Sequence, residues 1–293
     1  MKEIVVISGK GGTGKTSVAL SLACTGPEKI VLADCDVDAS DLHLILKPKK
    51  ISEDDFYSSD LAVIDYDRCT DCGKCSEVCR FSAIGNRDNK YYIDGLNCEG
   101  CGYCGHVCPV KAISMVKQKD GVLTVSDTRL GKRLFHAELG PGAENSGKLV
   151  AKVKNTAKKS VRENEYDYLL VDGSPGIGCP VISSLSGADL VVLVTETTLS
   201  GFSDLKRVVE LVKKFRIRMG CVINKSDIND EICGDIRQYL QSENIELMSE
   251  IPYTEDFPRA ISEGLSPAEY SVDLKKEFER IWNKIINLTG DNK

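Results

Sequence analysis

The strongest constraint on the fold is the segment Ser8-Gly9-Lys10-Gly11-Gly12-Thr13-Gly14-Lys15-Thr16, which fits G-x-x-x-x-G-K-[ST]. The apolar run Ile4–Ile7 precedes it, and a stretch of good helix formers, Lys15–Cys24, follows it. Strand, glycine loop and helix in that order form the context in which this pattern cradles phosphate. Glycines let backbone N–H groups turn inward, and the positive end of the helix points at the same anion. Gly9, Gly11, Gly12, Thr13, Gly14, Lys15, Thr16 and Ser17 are therefore expected to hold ATP or ADP. Lys15 would bridge the outer phosphates, and the Thr16 hydroxyl would bind Mg²⁺. A glycine-rich turn without a ligand would leave the agreement of motif and context unexplained.

The rest of the chain continues the alternation. Ile30–Ala33, Tyr168–Val171, Leu190–Thr195, Cys221–Asn224 and Ile245–Ile251 are apolar runs of the kind found in buried parallel strands. Asp204–Arg216 is amphipathic, and a further helix is expected near Glu231–Ser242. Phe135–Val150 reads as strand, turn and helix start, with Asn145 or Ser146 as a cap and Glu144 or Lys148 as surface candidates. This is an α/β chain with a mostly parallel sheet flanked by helices. Asp34, Asp36 and Asp38 end the second strand, on the ligand-facing edge of such a sheet. Tyr168-Leu169-Leu170-Val171-Asp172 ends in an acid placed to hold Mg²⁺, and Gly173-Ser174-Pro175-Gly176 follows as a candidate phosphate-sensing switch.

Between these regions the helix–strand rhythm gives way to cysteine. Eight of the 13 cysteines lie between Cys69 and Cys108. Cys69, Cys72, Cys75 and Cys79 recur 29 positions on as Cys98, Cys101, Cys104 and Cys108, and Ile64-Asp65, Gly73, Val78 and Ala83-Ile84 recur in the same register. Each unit reads C-x-x-C-x-x-C-x-x-x-C, in which three close thiolates grip one cubane cluster and the fourth ligates the other. Two [4Fe-4S] clusters are therefore expected, one on Cys69, Cys72, Cys75 and Cys108, the other on Cys98, Cys101, Cys104 and Cys79. Zinc favours two separated pairs with four ligands in all, and disulfides do not suit a reducing compartment. The small module, residues 60–118, is expected to be inserted into a discontinuous ATPase domain of residues 1–59 and 119–293. Arg80, where proline often follows the fourth cysteine, and His106 stand beside the cluster motifs. Cys24, Cys35, Cys179, Cys221 and Cys233 lack ligand spacing.

Net charge is −6, which argues against a general nucleic-acid binder. No run approaches the roughly 18 apolar residues of a membrane span, and Met1–Ile7 has no cleavage site, so a cytoplasmic chain is expected.

Lys10, a second lysine inside the loop, resembles the deviant Walker A loop of the MinD/ParA/nitrogenase-iron-protein ATPases. The resemblance implies that Lys10 acts in trans on a partner's nucleotide, within an ATP-dependent homodimer or a heterodimer with a paralogue. It also implies that Asp36 positions the attacking water, that Asn224 contacts adenine and that the loop at Tyr253 walls the base. The loop, the eight cysteines, Phe135–Val150, Asp172–Gly176 and Gly178-Cys179-Pro180 together resemble MinD-superfamily ATPases with an inserted bacterial-ferredoxin-like domain. MinD itself uses a C-terminal amphipathic helix on membranes. The run Val272–Leu288 lacks a basic face, so a helix packed on the sheet is expected instead.

Three functions are compatible with these residues. The first is an ATP-hydrolysing dimer switch coupled to electron transfer toward a redox partner protein. The second is a metallocluster assembly or carrier ATPase. The third is a MinD-like positioning ATPase.

Overall fold

The computed structural model describes residues 1–140, 143, 145–164 and 166–290. The expected surface candidate Glu144 lies outside the described residues. The chain divides into two compact units. One comprises Met1–Asp54, Leu123–Glu138 and Ser146–Lys293, and the other Asp55–Val122 and Leu139–Asn145.

In chain order the first elements are β1 (Lys2–Ser8), α1 (Lys15–Thr25), β2 (Ile30–Asp34), α2 (Leu42–Leu46) and β3 (Lys49–Ile64). The cysteine region holds α3 (Lys74–Val78), β4 (Ile84–Arg87), β5 (Lys90–Ile93) and α4 (Tyr103–Val107). Then come β6 (Ile113–Asp127), β7 (Arg133–Leu139), α5 (Ser146–Asn164), β8 (Tyr168–Asp172), α6 (Cys179–Leu185), β9 (Leu190–Glu196) and α7 (Leu199–Phe215). The last are β10 (Arg218–Asn224), α8 (Asp230–Ser242), β11 (Glu246–Ile251), α9 (Asp256–Ser262), α10 (Pro267–Tyr270) and α11 (Val272–Thr289).

The large sheet has the order β11-β10-β9-β1-β8-β2-β7-β6-β3. The run from β11 to β7 is parallel throughout. Its central strands are buried on both faces, which explains their unbroken apolar sequences. The strand register decides which side chains meet at the sheet edge. Asp34 at the end of β2 lies opposite Asp172 at the end of β8, and Ser8 ends β1 in the same sense. The strands thus deliver the glycine loop and two acids to one edge of the sheet.

Helix α11 buries Leu274, Phe278, Ile281, Trp282 and Ile285 in the same core cluster as α1 and the sheet. The Trp282 indole N–H donates to the Leu22 carbonyl at 2.7 Å, and its ring meets Tyr168 edge-on at 5.5 Å. The apolar face of this helix is therefore used for packing, as its mixed-charge polar face implied.

Periodicity did not reveal β3 or the outer part of β6. From Lys49 to Asp55 the β3 residues are all exposed, so no apolar alternation marks them as strand. In the second unit β4 and β5 form an antiparallel hairpin. The Asp120 carboxylate there accepts from the backbone N–H and hydroxyl of both Ser58 and Ser59. Burial works against its charge, but these four bonds more than offset it and hold its carboxyl below the usual range.

Candidate nucleotide site and cysteine cavities

The loop after β1 opens onto a cleft of about 490 Å³ lined by Lys10, Gly11, Gly12, Gly14, Lys15, Thr16, Ser17, Asp36 and Ser174 among others. Gly14 has φ +90, and a side chain there would collide with the Asn224 amide. A Cβ on Gly9 would sit 2.5 Å from that of Asp204. The loop therefore admits no side chain at either position. Thr13 is buried with its hydroxyl unpartnered among the described residues.

Lys15 is the charge centre of the cleft. Its ammonium lies 2.7 Å from Asp172 Oδ1 and 3.3 Å from Asp36 Oδ2, and it donates to the Thr16 hydroxyl at 3.2 Å. Burial disfavours its charge, but Asp172, Asp36 and Asp34 more than offset that, so its pKa lies above the ordinary lysine value. Asp172 Oδ2 is buried and has no hydrogen-bond partner among the described residues. A bare, buried carboxylate oxygen suits a hard cation that takes oxygen ligands.

The three acids after β2 have separate tasks. Asp34 is fully buried. Its carboxylate accepts from the Asp36 N–H, the Leu42 N–H and the Ser40 hydroxyl, so it organises the loop rather than facing the cleft. Burial, reinforced by the charge of Asp172, pushes its carboxyl up to about 7 against the pull of Lys15. Asp36 faces the cleft, and its carboxyl is raised by burial while Lys15 opposes the rise. Asp38 also lines the cleft.

Asn224, at the end of β10, donates from Nδ2 to the Thr13 carbonyl at 2.9 Å. It lines a neighbouring cavity of about 380 Å³ with Gly14, Ser17, Tyr253, Phe257 and Pro258. The two cavities share Gly14 and Ser17, so phosphate-side and base-side candidates are contiguous. In the switch segment, the Gly176 N–H donates to the Ser8 carbonyl at 2.8 Å and the Ser174 hydroxyl to the Cys35 carbonyl at 2.8 Å.

Sequence reasoning missed Glu196, which ends β9. One of its oxygens lies 2.7 Å from the Lys10 ammonium and the other 2.8 Å from that of Lys225. Lys10 also donates to the Ser200 hydroxyl at 2.8 Å. Burial acts against the Glu196 charge, but the two lysines more than offset it and hold its carboxyl below the usual range. The signal was an acid closing a buried strand on the loop edge.

The second unit gathers the cysteines into two cavities. One is lined by Cys69, Cys72, Cys75 and Cys108, the other by Cys79, Cys98, Cys101 and Cys104. Each quartet takes three thiols from one repeat and one from the other. The backbone shows the same exchange. The Asp65 N–H donates to the Ala112 carbonyl and the Asp94 N–H to the Ala83 carbonyl, both at 2.7 Å, and these residues are repeat-equivalent pairs. Gly73 and Gly102 start the matched one-turn helices with φ +79 and +73. All thirteen cysteines are free. Among the described residues no three sulfurs lie within 4.8 Å of one another. A single tetrahedral zinc would need sulfur–sulfur edges of about 3.8 Å. Four thiols line each apolar cavity, a soft donor set of the kind that takes a thiolate-bound metal centre. Arg80 is exposed, and His106 stacks on Tyr103. Cys35, Cys221 and Cys233 are buried, whereas Cys179 is exposed.

A glycine loop closing on a buried lysine, with acids from the neighbouring strands, on a parallel sheet in this order, defines a P-loop nucleotide-binding protein. More narrowly, the chain belongs to the CobQ/CobB/MinD/ParA nucleotide binding domain family, which matches residues 4–268. It is 33% identical over 287 residues to an uncharacterized protein of Methanocaldococcus jannaschii, MJ0578, covering 97% of this chain and 96% of that one. A second protein of that organism, MJ0579, is 29% identical and 98% covered on both sides. The septum site-determining protein MinD of Thermotoga maritima is 25% identical, with 96% of this chain and 87% of that one covered. Among solved structures, MinD complexed with Mg-ADP from Pyrococcus horikoshii superposes with a TM-score of 0.59 at 17% identity, covering 99% and 97% of the two chains. The MinC:MinD complex of Aquifex aeolicus gives 0.56 at 19% identity, covering 98% and 96%. These likenesses concern the nucleotide-binding fold. Three of these proteins are named MinD, which fits the MinD-like reading better than electron transfer. Among the described residues no helix is long and apolar enough to cross a membrane.

Proposed function

We propose that the chain is an ATP-hydrolysing, dimer-forming switch of the MinD/ParA type whose second unit carries two [4Fe-4S] clusters. The observation that carries the ATPase reading is Lys15 held between Asp172 and Asp36 at the mouth of the loop. Lys15 and the loop N–H groups hold the outer phosphates. Asp36 accepts a hydrogen bond from the attacking water and orients it. Asn224 and the Tyr253 loop take the base. Thr16 and Asp172 would hold Mg²⁺, which neutralises developing phosphate charge when bound. Lys10 reaches a partner's nucleotide after leaving Glu196. The partner is a second copy or a paralogue, a choice motivated by two similar proteins in M. jannaschii.

The cluster reading rests on the two crossed quartets and assigns the segment 60–118 as the cluster-binding insertion. When bound, such clusters supply one-electron transfer. The cysteines of each quartet would fix them in a shell that burial and hydrogen bonds tune. The protein would work in the cytoplasm and meet a redox partner there. The positioning reading is favoured by the relatives, whereas the packed face of α11 speaks against a MinD-like membrane helix. Cluster delivery is least favoured, because four thiols per cavity imply retention.

The test is anaerobic. The full chain is analysed for iron and acid-labile sulfide, then sized by light scattering with ADP or a non-hydrolysable ATP analogue. About eight irons per chain and an ATP-only dimer that Lys10→Ala abolishes are expected. A nucleotide-dependent cluster EPR signal then selects electron transfer. An unchanged signal with ATP-dependent liposome or protein recruitment selects positioning. Failure to bind ATP would falsify the switch, and about two zinc ions in place of iron would remove the clusters.

A further inference from the structure

Away from the phosphate loop, β7 and α2 bring together three metal-capable side chains. His136 and Glu138 stand two residues apart on β7 and so share one face of the strand. His43 comes from α2. One ligand atom from each of the three lies within 4.8 Å of the other two. The His43 and His136 rings stack at 5.3 Å with 9° between planes, and His43 Nε2 lies 3.7 Å from Glu138 Oε1.

His136 is the independent observation. It is only 7% exposed, yet both of its ring nitrogens are buried without a hydrogen-bond partner among the described residues. A buried imidazole that satisfies neither nitrogen is costly, by roughly 1–3 kcal/mol for a bare polar group. It is also costly to retain beside another histidine unless something uses its lone pair. Ion pairing does not explain the cluster, because one carboxylate faces two imidazoles.

We infer that His43, His136 and Glu138 form a binding site for a divalent first-row transition-metal ion of borderline softness, zinc above all. Two imidazoles and a carboxylate are the donors such ions take, leaving a fourth position for water. The tetrahedral nitrogen–oxygen edge is about 3.3 Å at the usual bond lengths. The observed spread closes to it by side-chain rotation, which the half-buried His43 and the exposed Glu138 allow. His43 would ligate through Nε2, since Nδ1 faces the Ser40 hydroxyl at 3.4 Å. That hydroxyl donates to Asp34 Oδ2 at 2.8 Å. This is the outer-shell pattern of a ligating histidine, a ring N–H given to an oxygen that is itself held. An ion here would pin α2 to β7. Through Ser40 and Asp34 it would fix the loop that presents Asp36 to the nucleotide cleft, making the site a structural clamp on that loop.

The full chain, prepared anaerobically, is freed of loose metal by gel filtration with a chelator and titrated with Zn²⁺ against a chromophoric competitor. Bound zinc is examined by X-ray absorption at the zinc edge, where iron does not interfere. One zinc per chain is expected, in a nitrogen and oxygen shell with imidazole scattering. His43→Gln and Glu138→Gln, both at positions that are not buried, should each weaken it at least tenfold. Zinc that is not retained by the wild type, zinc in a sulfur shell alone, or equal affinity in both variants overturns the assignment.

Discussion

Replacing Lys15 by Met tests how the cleft holds itself together without ligand. Methionine keeps the length and the packing but removes the one cation between Asp172 and Asp36. Asp172 is 1% exposed, so water cannot replace the lost partner. Breaking a buried pair by removing one member costs about 3–5 kcal/mol. With a urea slope of about 3 kcal/mol/M, that is a midpoint shift of about 1–1.7 M. Trp282, the only tryptophan, is buried against Tyr168 in the first unit and reports its unfolding by fluorescence. The deficit must also depend on pH. Asp34 and Asp36 already lie above the ordinary carboxylate value, and losing Lys15 lifts both further. A carboxyl raised on folding binds more protons folded than unfolded, so stability falls as pH rises through its folded pKa. The variant should therefore be further from wild type at pH 8 than at pH 5.5. A midpoint shift below about 0.3 M at pH 8, or one that does not shrink toward acid, refutes the reasoning.

Other outcomes depend on single contacts. Burial and His43 lower the His136 pKa to about 4, so it binds more protons unfolded between pH 6.5 and about 4. In the metal-free protein stability should fall by about 3 kcal/mol as pH drops through that window, and His136→Phe should remove this slope in urea titrations. Asn224→Ala removes the bond to the Thr13 carbonyl and the side chain lining the base cavity. Nucleotide affinity should fall about tenfold by equilibrium dialysis, the worth of one buried hydrogen bond. Trp282→Ala should destabilise the first unit by about 3–5 kcal/mol in calorimetry, by emptying the space between α11 and α1.

What could be read from the sequence was local. The loop, Asp36, Asp172 and the cysteine quartets are read from spacing along short segments; in the fold Lys15 and Asp36 line one cavity, Asp172 meets Lys15, and each quartet lines a cavity of its own. Buried strands were legible because parallel pairing leaves both faces apolar. The exposed stretch of β3 was not, because water on every side leaves no pattern to find. Glu196, Lys225 and the His43–His136–Glu138 group were invisible for another reason. Their partners lie tens to nearly two hundred positions away, so only the sheet order makes them neighbours. Asp34 shows an intermediate case. Its position was legible, but its service to the loop backbone was not.

Glu196 holds two ammonium groups at once, one on each oxygen. That arrangement sets the threshold for any outward swing of Lys10. Were Lys10 to depart, Lys225 would still neutralise the carboxylate. The lysine that would leave is nearly one-third exposed, so water can solvate its ammonium as it goes. In the proposed switch the loop would thus carry a tethered cation whose departure leaves the strand behind it still paired.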